Sequence, residues 1–224
     1  MKIFFDTEFI EDGTTIELLS IGMVREDGHT LYLENMEADW NRADAWVREN
    51  VLPKLTAYAH VPRNLGDEFE RWDMGNWSRL DMPHTWLQRD HIATSIRRFV
   101  GESPEFWAYY ADYGWVVLCQ LFGRMVDLPA GWPKYCRDFK QWLDEHEVAD
   151  TLQRPMDDDN VHNALADAQW LKSEFDRLRQ MTFDPPDIRR DERRKLVDVA
   201  SKWGEQKGVD VQELLFRLRT VRIG

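Results

Sequence analysis

The chain opens with an apolar, strand-like run, Ile3-Phe4-Phe5-Asp6-Thr7-Glu8-Phe9-Ile10, in which two carboxylates are embedded. Successive side chains of a strand alternate between faces, so Asp6 and Glu8 project from the same one. Carboxylates held side by side near a core repel each other unless something positive sits between them. Two arrangements satisfy that demand. The strand end can emerge into water, or the pair can hold magnesium or manganese, which prefer oxygen ligands.

The pattern downstream extends the strand reading. Thr15–Val24 and Thr30–Leu33 have β character, and Asp27-Gly28 between them is a hairpin signal. Three antiparallel strands over 2–9, 15–24 and 30–33 are therefore expected. Helices are predicted over 41–55, 86–100, 116–125, 137–146 and 161–181, with a short aromatic strand at 105–110. Residues 56–83 carry no dependable period. The 161–181 helix has the clearest spacing, through Ala164, Ala168, Leu171, Phe175 and Leu178, and Asp159 or Asn160 can cap it. Pro185-Pro186 then breaks the chain. Two units follow from this: an α/β domain over 1–183 and a helical C-terminal appendage over 184–224, with two short helices meeting near Lys207-Gly208.

Charge narrows the function classes. The net charge of −12 argues against a module that holds nucleic acid by bulk electrostatics, which needs a basic face. It does not argue against an enzyme whose acidic residues gather around metal ions. No apolar run is long enough to span a membrane, and Asp6 comes too early for a secretion signal. The two cysteines, Cys119 and Cys136, are too few for a disulfide framework, and a cytoplasmic location is expected.

A second group lies in the late helix, His162-Asn163-Ala164-Leu165-Ala166-Asp167. Histidine can take a proton from water near neutral pH, and a nearby aspartate can hold a metal that polarises that water. Taken alone, the pair also fits an ordinary helix start with a solvated acid.

Together, Asp-x-Glu on the first strand and His-x4-Asp on a late helix resemble the DEDDh 3′→5′ exonuclease superfamily. The resemblance covers about residues 1–180. Within that superfamily the chain is most similar to small bacterial and phage exoribonucleases, through Phe5–Gly13, Ile16–Gly22 and Val47–Leu55. It implies a ribonuclease H-like mixed sheet, with three antiparallel opening strands, parallel strands beyond them, and flanking helices. It also implies two magnesium or manganese ions and a single-stranded nucleic acid 3′ end as partner, RNA preferred. Asp6, Glu8 and Asp167 would be ligands, Asp6 would bridge to the second ion, and His162 would be the general base. Phe9 would wedge against the terminal base.

One position departs from the pattern. The superfamily places an aspartate after an aromatic residue in a strand-to-helix segment, and here Gly114 follows Tyr113. Asp112, two residues earlier, is the expected substitute ligand. The rival readings are a DNA exonuclease of the same mechanism and a catalytically impaired binding module.

Overall fold

The N-terminal runs form the expected meander. β1 (Lys2–Glu11), β2 (Ile16–Arg25) and β3 (Thr30–Asn35) pair antiparallel in sequence order. The structure is a computed structural model that describes residues 1–60, 83–146, 148, 149, 152, 161–183 and 188–207. Asp12 shapes the β1–β2 turn by accepting the backbone N–H groups of Thr15 and Thr14 at 2.7 and 3.0 Å. Those bonds and the Arg42 guanidinium hold its carboxyl well below the usual carboxylate range.

Three short parallel strands complete the sheet. β4 (Trp86–Leu87) runs beside β3, β5 (Glu105–Ala108) beside β1, and β6 (Arg137–Asp138) beside β5. The order β4-β3-β2-β1-β5-β6 puts β1 inside a mixed, ribonuclease H-like α/β sheet.

Among the described residues six helices accompany it: α1 (Ala45–Asn50), α2 (Arg89–Val100), α3 (Ala111–Gln120), α4 (Phe139–Glu145), α5 (Ala164–Phe183) and α6 (Ile188–Lys207). Alternation along β1 divides the core. Ile3 and Phe5 pack with Phe106 against Ile92 and Ile96 of α2 and Val117 and Leu118 of α3. On the opposite face Phe4 packs with Trp107 against Phe139 of α4 and Ala168, Leu171 and Phe175 of α5. Each buried Ile, Val, Leu or Phe side chain among these contributes about 1.5–3 kcal/mol. Asp6 and Glu8 share the face of Phe4, so they point toward α5.

Several boundaries differ from the periodicity. The helix expected over 41–55 is only α1 flanked by 3-10 turns at Trp40–Arg42 and Leu52–Lys54, because Pro53 cannot continue an α-helix. Trp86-Leu87 and Arg137-Asp138 are strand rather than helix, captured by pairing with β3 and β5. The third helix starts at Ala111, five residues earlier than apolar spacing suggested. The last described helix, α6, spans 20 residues instead of one short helix. The expected second helix of the appendage falls outside the described residues, as does most of the irregular segment 56–83.

Candidate active site

The register of β1 against β2 sets up the site. Asp6 lies opposite Gly22, so both face α5. A side chain at Gly22 would meet the Ala164 carbonyl carbon and oxygen and the Leu165 Cα, all at 2.3 Å. Only a glycine lets the start of α5 lie this close to the sheet. That approach brings Asp167, one turn into α5, to the carboxylates of β1. Asp6, Glu8 and Asp167 each offer an oxygen, and these atoms lie within 4.8 Å of one another.

The three carboxylates line a cleft of about 180 Å³ together with Tyr109, Tyr110, His162, Trp170 and Leu171. His162 was expected within the first turn of a helix starting at Val161. Instead it precedes α5, with its backbone in the left-handed region at φ 67°. Asn163 caps the helix through its side-chain oxygen, which accepts the Ala166 N–H at 3.1 Å. The proposed caps Asp159 and Asn160 lie outside the described residues. The backbone N–H of His162 donates to the Asp167 carboxylate at 3.0 Å, which ties the histidine's turn to the cluster. The imidazole packs edge-on against Trp46 of α1, with centroids 4.8 Å apart, and Trp46 is 51% exposed.

Next to the carboxylates, the sheet carries a further buried acid. Glu34 of β3, 1% exposed, accepts the N–H groups of Thr56 and Ala57 and the Tyr32 hydroxyl. Burial and the neighbouring Glu34 push the Tyr32 phenol up from its ordinary value. Glu34 is thus committed to the 3-10 turn Ala57–His60.

An all-oxygen, all-anionic donor set suits a hard divalent cation. Bound cations stabilise such a cluster, whereas the carboxylates alone repel.

No protein-family profile matches the chain. Among characterised proteins it is similar to the 3′-5′ exoribonucleases MT2234.1 and Rv2179c of two Mycobacterium tuberculosis strains, CDC 1551 / Oshkosh and ATCC 25618 / H37Rv. Each is 39% identical over 173 residues, which is 75% of this chain and 88% of the relative. The chain belongs to the 3′-5′ exoribonuclease family.

In this member of the exoribonuclease family, Asp112 is not drawn into the cleft. It lies exposed in the first turn of α3, where a negative charge is favourable at the positive end of the helix dipole. Gly114 faces the other side of β1. A Cβ there would meet Thr7 Oγ1 at 3.1 Å and Phe5 at 3.6 Å. Phe9 also points to that side, half-buried against the α2–α3 core and edge-on to Tyr113 at 5.9 Å. Gly22, Trp46, Tyr109, Tyr110 and Trp170, which line the cleft or pack beside it, are not among the candidates read from the sequence. Gly22, an isolated glycine inside a strand pattern, carried a usable signal of close backbone approach. The aromatic residues carried none, because their spacing also suits core packing.

Proposed function

We propose that the chain is a metal-dependent 3′→5′ exoribonuclease that releases nucleoside 5′-monophosphates from single-stranded RNA. The observation that carries this reading is the convergence of Asp6, Glu8 and Asp167 within 4.8 Å in a cleft that also contains His162. The names of the relatives support RNA as the substrate. Asp6, Glu8 and Asp167 would hold magnesium or manganese, which when bound makes water a better nucleophile and neutralises phosphate charge. The family resemblance supports a second ion, for which Asp6 would also be a ligand.

The protein's own groups perform the remaining work. His162 accepts the proton of the water that attacks phosphorus. The P–O bond to water forms as the P–O3′ bond breaks, and the departing 3′ oxygen takes a proton from solvent. The products are a nucleoside 5′-monophosphate and an RNA one residue shorter with a free 3′-hydroxyl. The bond from the His162 backbone to Asp167 keeps the base and the carboxylates in one frame. Leu171 and Trp170 line the wall of the cleft. The two free cysteines support a cytoplasmic location, and among the described residues no helix is long and apolar enough to cross a membrane.

The test is cleavage of 5′-labelled single-stranded RNA and DNA in manganese, magnesium or EDTA. Laddering from the 3′ end of RNA is expected with metal, lost in EDTA and in Asp6→Asn and His162→Ala. Equal laddering of DNA would favour the DNA exonuclease. Silence on both nucleic acids with both metals would refute the hydrolase and favour a binding module.

A further inference from the structure

Tyr110 combines three properties that rarely coincide. Its side chain is 64% exposed, its backbone is left-handed at φ 53° and ψ 61°, and it lines the cleft with Asp6, Glu8 and His162. Among the described residues, Tyr110 and His162 are the two non-glycines at positive φ, and both border this cleft. A bulky residue in that region is strained, and such strain persists where the surroundings impose it. Glycine or asparagine would occupy the same turn more easily.

The surroundings do impose it. The Asp138 carboxylate accepts the Ala111 N–H at 2.6 Å and the Gln141 N–H at 3.0 Å, pinning the residue after Tyr110 to the start of α4. Behind Tyr110, the Tyr109 ring lies with its centroid 4.6 Å away and is itself wedged against Trp170 at 5.4 Å. The Tyr110 ring is held at its root and open to solvent beside the carboxylates.

Resting on the exoribonuclease reading above, we propose that Tyr110 is the stacking platform for the base of the 3′-terminal nucleotide, the one about to be released. The carboxylate cluster addresses the phosphate and carries no grip on the base. An enzyme that trims one residue at a time needs a hold on whichever base arrives. Stacking on an aromatic ring provides it, because every base has a flat face. The contact therefore adds affinity while discriminating weakly among the four bases.

The experiment uses the full chain and oligoribonucleotides ending in adenosine or in an abasic ribose. Tyr110→Ala is expected to lower kcat/KM on the adenosine end by roughly 5- to 150-fold, the range of a lost base–aromatic stack. Most of the change should be in KM. The abasic end should cost the unaltered chain a similar factor, and the two losses should not add. Tyr110→Phe and Tyr110→Trp should retain activity, since the ring and not the hydroxyl is used. In calcium, 2-aminopurine at the 3′-terminal position should be quenched by the unaltered chain and not by Tyr110→Ala.

Equal losses by Tyr110→Ala on both ends would overturn the proposal. So would a quench confined to penultimate 2-aminopurine, or a loss shared by Tyr110→Phe. Tyr110→Leu, which keeps bulk without a π face, should behave as alanine, and full activity in it would also overturn the idea. Cleavage indifferent to residue 110 removes this inference alone, whereas a chain that neither binds nor cleaves removes the exoribonuclease reading with it.

Discussion

Replacing Gly22 with alanine adds one methyl group at the point where α5 meets the sheet. The added carbon would lie 2.3 Å from backbone atoms of Ala164 and Leu165, while ordinary van der Waals contact begins at 3.4 Å. Backbone cannot rotate aside as a flexible side chain can, so α5 must retreat by about 1 Å or β2 must bend. Overpacking of this kind costs roughly 1–3 kcal/mol. For a chain of this size that corresponds to a melting temperature lower by roughly 2–12 °C. The functional cost is expected to exceed the stability cost. Asp167 and the His162 turn ride on the displaced end of α5, while Asp6 and Glu8 stay on β1. A misplacement of about 1 Å between catalytic groups can lower the rate by about 100-fold. The assay pairs a thermal melt with single-turnover release of nucleotide from 5′-labelled RNA at a temperature well below the melt. Gly22→Ala with an unchanged melt and full release would refute the claim that close approach of α5 builds the site.

Asp6→Asn should have opposite effects in two buffers. In EDTA it relieves carboxylate repulsion of order 1 kcal/mol at water-like screening, so the melting temperature rises slightly. With manganese the stabilisation seen for the unaltered chain, about 2.7 kcal/mol at a hundredfold excess over Kd, should be reduced or lost; an undiminished manganese shift would contradict the ligand role. Asp112→Asn should leave cleavage within about threefold and cost about 0.3–1 kcal/mol at the α3 start. A hundredfold loss of activity would return Asp112 to the ligand set. Glu34→Gln keeps the shape but offers one acceptor oxygen to the three donors at Tyr32, Thr56 and Ala57. An unfolding cost of about 1–3 kcal/mol is expected by denaturant titration, and a neutral result would show that water replaces the bonds. Because the folded Tyr32 phenol is raised above its unfolded value of 10.0, its contribution is fully present below pH 10. It is lost as pH rises beyond that, since the unfolded chain releases the proton first. Tyr32→Phe should therefore flatten the alkaline fall in stability, as measured by melts from pH 8 to 11.

Periodicity made the sheet's opening and α5 legible. β1, β2 and β3 appear with ends shifted by only a few residues, because alternation on a half-buried meander is a local signal. The pairing of Asp6 with Glu8 on one face follows from the same alternation. Legibility stopped where neighbours overrode local preference. Trp86-Leu87 and Arg137-Asp138 became strands because free edges of β3 and β5 captured them. The His162 backbone left the helix because Asn163 took the cap.

Residue identities alone supply two carboxylates on one strand face, a histidine and an aspartate at a helix start, and membership in a 3′-5′ exoribonuclease family through 39% identity to its relatives. Which of these groups meet is set by packing between distant segments. Asp167 reaches Asp6 because Gly22 has no side chain to hold α5 away. Asp112 stays outside because α3 begins at Ala111 and presents it to water, and Tyr110 stands at the cleft because Asp138, from a distant segment, pins its turn. These outcomes depend on contacts between residues far apart in the chain, which local propensity does not encode.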